Sequence, residues 1–225
     1  VRLAVHHRPG RSGRQEVLDR LVAQSVRHPT VSTGRRGPFA PSWYLGIVHV
    51  VAVVMPAGRL FTIDDLNRFP DDGNRYELIE GSLHVTPSPL LPHQEAVANV
   101  FRLLDRAGPP DRKVLFAPLD IVLGPATVVQ PDVLVLTIDE RDDTKVRSTP
   151  LLVVEVLSPS TRSYDLTLKR RVHREGGVGS YWVVDPTGPT VTVWTWTGDD
   201  ETEHEVTGGD ALDLARPSPV TVVPS

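Results

Sequence analysis

The sequence predicts an α/β (α+β) domain running from about Met55 to the C-terminus. Three observations carry this. Short runs rich in β-branched and aromatic residues recur between turn clusters. His93 to Ala107 has helical spacing, with Val97, Val100, Phe101 and Leu104 on one face. Leu151 to Leu157 is apolar except for Glu155, as expected of a strand buried on both faces, and a second helical stretch follows it.

The elements follow in order. Thr62 to Asp65 reads as a helix cap, with a short helix to about Phe69. Asp71 to Asn74 is a turn cluster. Tyr76 to Ile79, Glu80-Gly81 and Ser82 to Val85 read as strand, tight turn, strand. After Pro87-Ser-Pro89 and the His93 helix come short apolar strands over Lys113 to Phe116 and Asp120 to Leu123. Val128 to Thr137 is a longer run split by Gln130-Pro131-Asp132. A helix is expected from Thr161 to Glu175, stopped by Gly176-Gly177. Tyr181 to Val184 and Thr190 to Trp196 form a hairpin pair across Asp185 to Gly188, and Leu212 to Val223 is a weak final edge.

Residues 1–54 differ in kind. They hold eight Arg and two acids, Glu16 and Asp19, so they carry about +6 while the remainder carries about −10. Apart from a possible short helix over Glu16 to Val26 they lack a sustained period, and they read as a basic, poorly structured extension. One reading makes them a tail that touches nucleic acid. The other makes them a disordered or untranslated leader, with the start at Met55, the only methionine.

Composition excludes several chemistries. There are no cysteines, so disulfides and thiolate metal sites are ruled out, which fits a cytoplasmic protein. The longest apolar run, Leu45 to Met55, falls short of the roughly 20 residues that cross a bilayer, so no membrane partner is expected. The acidic main domain has no blanket basic surface, so any nucleic acid must be met by a local patch.

Two acids occupy expensive positions. Asp132 interrupts one apolar strand run and Glu155 another, and a buried carboxylate is costly unless it is paired or holds a metal. If adjoining strands bring them together, a divalent cation would relieve their repulsion, and hard oxygen ligands suit Mg²⁺ or Mn²⁺. Asp165 and Lys169 are i and i+4 on the following helix and share a face. Taken alone, that spacing reads more simply as a surface salt bridge; the short connection from the Glu155 strand is what brings Lys169 into consideration.

These residues resemble a known family. Asp132 in Gln-Pro-Asp-Val-Leu-Val, the stretch Val153 to Arg162, Tyr164-Asp165 with Lys169, and Tyr181 to Pro186 look like the Uma-two family. Tyr76 to Gly81, Pro87 to Pro89 and His93 fit it as well. The resemblance spans roughly residues 60–194. It implies a restriction-endonuclease-like, PD-(D/E)xK fold: a mixed β-sheet flanked by helices. It also implies a Mg²⁺-dependent endonuclease acting on DNA, with Asp132, Glu155 and Lys169 catalytic and with Asp132, Glu155 and Glu77 toward the metal. The fold's usual pattern puts lysine two residues after the second acid. Leu157 stands there, so the lysine role passes to Lys169. Gln130 and Asp165 are candidates to orient Asp132 and Lys169. Double-strand cleavage in this fold implies a homodimer.

Lys169, Arg170, Arg171, His173 and Arg174 are the densest positive cluster of the acidic domain. Arg170, Arg171 and Arg174 are therefore candidate contacts to a nucleic-acid backbone, against the reading of a solvated helix face whose cations favour the helix C-terminus. His93 reads more simply as a polar helix start, and Trp182, Trp194 and Trp196 as core aromatics. Two other functions stay open: a binding module that keeps the fold without turnover, and a glycosidase built on two carboxylates.

Overall fold

The computed structural model describes residues 52–54, 60–137, 148–159 and 161–224. The chain divides into a unit Val1–Ile47 and a unit Val48–Ser225. The first unit, with the expected helix over 16–26, lies outside the described residues, as does the basic extension up to residue 51.

The described chain is built on two larger sheets and a small one. A five-stranded antiparallel sheet has the order β1-β3-β2-β6-β5. Its strands are β1 (Ala52–Val54), β2 (Arg75–Ile79), β3 (Ser82–Thr86), β5 (Ile121–Gly124) and β6 (Thr127–Val129). A six-stranded sheet has the order β11-β10-β9-β8-β7-β4. It comprises β4 (Arg112–Phe116), β7 (Val133–Thr137), β8 (Leu152–Val156), β9 (Ser180–Asp185), β10 (Thr190–Thr197) and β11 (Asp200–Thr207). A last hairpin joins β12 (Leu212–Leu214) to β13 (Val220–Val222). The first sheet takes up residues ahead of Met55, since Ala52 to Val54 pair with Val85 to Leu83.

Most of the strand text is realised as expected. The turn between β2 and β3 has both central residues at positive φ, 51° at Glu80 and 79° at Gly81, the twist that a two-residue hairpin demands. The break at Gln130-Pro131-Asp132 is where the chain leaves one sheet, β6, and enters the other, β7. The helix α1 (Ile63–Leu66) is shorter than expected, and Thr62 and Asp65 cap it reciprocally. The helix α2 (Leu91–Ala107) starts two residues before His93, with Pro92 in its first turn.

One pair in the six-stranded sheet is parallel: β8 and β9. A parallel pair needs a crossover, and the helical stretch supplies it. It is not uniform. α3 (Arg162–Tyr164) leads into a π-helical turn, Asp165–Lys169, and then α4 (Arg170–Glu175). Its buried positions, Asp165, Lys169, Val172 and His173, are i, i+4, i+7 and i+8, one face of a helix.

The strand parity of the six-stranded sheet separates two cores. Val133, Val135, Leu152, Val154, Val156 and Trp182 face α2 and the last hairpin. Leu134, Leu136, Val153, Leu157, Tyr181 and Val183 face the opposite way, against Ile79, Ile121 and Val129 of the first sheet and Val172 of α4. Glu155 shares the parity of Val153 and Leu157. It therefore points into the layer between the two sheets, where the helical crossover also lies.

Candidate active site

Asp132 and Glu155 come together because of register. β7 and β8 are antiparallel with Val133 opposite Val154, so one step further sets Asp132 opposite Glu155. The Ala117 N–H donates to the Asp132 carbonyl at 3.1 Å, which extends the β4–β7 ladder and fixes the backbone there. The Asp132 side chain is held from three sides. Oδ1 accepts from Arg75 Nη2 at 2.9 Å. Oδ2 accepts from the Val156 backbone N–H at 2.8 Å and faces His93 Nε2 at 3.1 Å.

Lys169 reaches the same layer from the crossover. Its Nζ lies 3.0 Å from Glu155 Oε1 and 3.0 Å from Glu77 Oε1, with Asp165 Oδ1 at 3.9 Å. The Tyr164 ring covers it, with its centroid 5.7 Å away. Glu77 also accepts from the Gln130 backbone N–H at 2.8 Å. The ammonium therefore bridges a glutamate of the five-stranded sheet to a glutamate of the six-stranded one.

Burial sets the charge states. Glu77, Asp132, Glu155, Asp165 and Lys169 are all buried. Burial alone would raise the Asp132 pKa, yet the Arg75 guanidinium, His93 and the Val156 N–H outweigh it and hold the carboxyl well below the usual range. Glu77 is also lowered, burial being overcome by Lys169, Arg75 and the Gln130 N–H. Burial raises Asp165 well above the ordinary aspartate value, and Lys169, at 3.9 Å, does not offset it. Lys169 is the reverse case. Burial works against its charge, but Glu155, Glu77 and Asp165 together raise its pKa well above the ordinary value. The site thus holds ionised Asp132, a firmly charged ammonium and an aspartate disposed to keep its proton.

The comparisons with known proteins bear on the family and the fold. The family model of Uma2, described as "Putative restriction endonuclease", matches residues 63–222. The chain belongs to the Uma2 family. Among solved structures this Uma2 chain is similar to a crystal structure titled as a putative nuclease of the DUF820 group from Anabaena variabilis ATCC 29413. The two share 19% identity, with a TM-score of 0.58 over 70% of this chain and 89% of that one. The likeness shows a nuclease-type fold. No curated protein matches the chain.

Several expected roles take a different form in this Uma2 domain. Gln130 does not touch Asp132 with its side chain. The amide binds Asp120 Oδ1 at 2.7 Å, and it is the Gln130 backbone that matters, holding Glu77 by N–H and Arg75 by carbonyl. Glu77 sits beside Lys169 and shares it with Glu155. Asp165 is near Lys169 but beyond hydrogen-bond distance. The three candidate backbone contacts face acids instead. Arg170 pairs with Glu201 and lies over the Trp194 ring, Arg171 pairs with Glu80 and Glu175, and Arg174 pairs with Glu201.

Sequence reasoning missed Arg75 and set His93 aside as a helix start. The signal for His93 was present, since it lies in the first turn of a helix just after a chain break. Arg75 gave none, because an arginine at the start of a strand reads as a solvated edge. His84 was assigned nothing. It stands opposite Glu77 in the β2–β3 ladder and packs on Tyr164, ring centroids 4.6 Å apart. Neither His84 nitrogen, nor Tyr164 Oη, nor either His173 nitrogen has a hydrogen-bond partner among the described residues. Burial lowers the pKa of both histidines, so they stay neutral.

The donor set suits a hard cation in kind. Asp132 and Glu155 offer carboxylate oxygens from adjoining strands. Among the described residues no three metal-ligating side chains converge. A pair fits Mg²⁺, which usually takes one or two carboxylates and completes its shell with water and substrate. Among the described residues no helix is long and apolar enough to cross a membrane.

Proposed function

We propose that this chain is a metal-dependent nuclease that hydrolyses phosphodiester bonds in DNA. The observation that carries the reading is Lys169. A buried ammonium held 3.0 Å from Glu155, across the strand pair from an ionised Asp132, is costly as a structural device alone. It is useful where negative charge develops at a phosphoryl group.

Asp132 and Glu155 would hold the cation, Mg²⁺ or Mn²⁺. When bound, such an ion polarises a phosphoryl oxygen and lowers the pKa of water. The chain's own residues do the rest. Arg75, His93 and the Val156 N–H fix the orientation of Asp132. Lys169 stays charged, so it contributes by charge and hydrogen bonding and not as a base. Glu77 and the Gln130 N–H position Lys169 from the other sheet. Burial raises the Asp165 pKa, so this carboxyl holds its proton to higher pH than an ordinary aspartate. A module that only grips DNA through the helix arginines is not favoured, because those arginines are matched by Glu80, Glu175 and Glu201.

The test is cleavage by the purified full chain. Supercoiled plasmid and a labelled oligonucleotide are incubated with Mg²⁺ or Mn²⁺, beside Asp132→Asn and Glu155→Gln. Nicking by the parent and a loss of at least about 100-fold in each variant is expected. Cleavage that persists in both variants removes the proposed site.

A further inference from the structure

A nuclease site must admit an anion, and this one is lined with four carboxyl groups in an acidic domain. We propose that Arg75 is the residue that receives the substrate's phosphodiester group. The proposal rests on the nuclease reading above and adds the group by which the site accepts its substrate.

Exposure decides which cation an incoming phosphate meets. The Lys169 side chain is 4% exposed and the carboxylates of Glu77, Asp132 and Glu155 are 2–3% exposed. Arg75 is 18% exposed and His93 12%. Arg75 and His93 are therefore the more exposed of the charged and imidazole groups around Asp132, while the acids and the ammonium are buried more deeply. The arginines of the crossover are more exposed and paired with other acids: Arg162 with Asp185, Arg170 and Arg174 with Glu201, and Arg171 with Glu80. Arg75 is the partly exposed cation that bonds Asp132 directly.

Its geometry leaves capacity. Nη1 donates to the Gln130 carbonyl at 3.0 Å and Nη2 to Asp132 Oδ1 at 2.9 Å. Each terminal nitrogen carries a second N–H, so the guanidinium can keep its place and still offer donors to a phosphate oxygen. Two anchors in the short segment between β6 and β7 pre-organise the fork, which limits the entropy lost on binding. Arg75 also stands two residues before Glu77 on β2, so both side chains leave the same sheet face. A phosphate on Arg75 thus lies on the side of the site that holds the Lys169 bridge.

The experiment separates this role from that of a plain counter-ion. Binding of labelled duplex and single-stranded DNA is followed by anisotropy in Mg²⁺, using the Asp132→Asn chain so that turnover does not intervene. In that background Arg75 has lost the one carboxylate it hydrogen-bonds, and Glu77 and Glu155 act on it only at longer range. Adding Arg75→Met should weaken binding roughly 10- to 100-fold, the loss expected for a hydrogen bond to a charged group. The slope of log affinity against log salt should fall by about 1, one phosphate contact. Arg75→Lys should keep the slope with intermediate affinity, because it keeps the charge but loses the fork. An unchanged slope with affinity within about twofold of the parent, well under one such contact, overturns the assignment and leaves the nuclease reading standing. If Arg75→Met does not fold, Arg75→Lys decides: affinity equal to the parent's overturns the assignment. If the parent chain neither binds nor cuts DNA, the nuclease reading fails and this assignment fails with it.

Discussion

Replacing Lys169 with methionine keeps most of the side-chain volume and removes the charge that joins Glu77 to Glu155. Both glutamates are buried, at 1% and 2% exposure, so neither can recover solvation without opening the layer between the sheets. Removing one partner of a buried ion pair costs about 3–5 kcal/mol. For a domain of this size each kcal/mol moves Tm by about 2–4 °C, so Lys169→Met should lower Tm by roughly 6–20 °C near pH 8.

The cost depends on pH, and the sign follows from Glu77. In the parent chain its pKa is lowered in the folded state, so it stabilises the fold above its unfolded value, and this is lost as pH falls through the lowered folded value. Without Lys169, burial acts on Glu77 with Arg75 as its remaining nearby cation. Its folded pKa then rises, and the fold is penalised increasingly as pH climbs above the unfolded value. The gap between parent and variant should therefore be small near pH 4 and widen toward pH 8. Thermal melts at several pH values measure it, and Glu77→Gln in the Lys169→Met background should recover part of the loss. A Tm change under about 2 °C at pH 8, less than 1 kcal/mol, would refute the reasoning, as would an equal loss at both pH values.

Two further outcomes follow from the same layer. Asp165 is raised in the folded state, so its contribution is full below the unfolded aspartate pKa and is lost as pH rises toward the folded value. Asp165→Asn should remove that decline and leave the chain relatively more stable at pH 8 than at pH 4, as denaturant titrations at the two pH values will show. Tyr181 is fully buried and its hydroxyl donates to the Asp165 carbonyl at 2.9 Å within the π-helical turn. Tyr181→Phe should cost about 0.5–1.5 kcal/mol in urea unfolding and leave that carbonyl short of a partner; no loss would mean the turn is held by packing alone.

What the sequence made legible was set by cost. Asp132 and Glu155 interrupt apolar runs, and an expensive position is visible without a structure. The β2–β3 hairpin and α2 were visible because period and turn residues agree. β11 was not. Only Val206 of its eight residues is buried, and its acids face outward or cap tryptophans, Glu203 accepting from Trp194 at 2.8 Å and Glu201 from Trp196 at 2.7 Å. A polar edge strand has no alternation to read, because its partners supply the apolar side. Arg75 was hidden for a related reason. Its meaning lies in Asp132, 57 residues away, and no local pattern encodes that distance.

The placing of the lysine shows why chain position and chemical position diverge here. Leu157, two residues after Glu155, shares its strand face but is committed to the core with Leu134, Tyr181 and Trp194. A lysine there would bury charge among apolar side chains. The parallel β8–β9 pair requires a crossover, and that crossover packs on the same sheet face as Glu155. An ammonium from the helix can therefore reach Glu155 without opening the core. The π-helical turn gives the segment the wider local winding often found at functional positions. Because Glu77 comes from the other sheet, Lys169 also ties the two sheets together through its own charge. The group proposed to stabilise a transition state thus also holds the layer around it closed, and on that proposal activity and stability should fall together when it is removed.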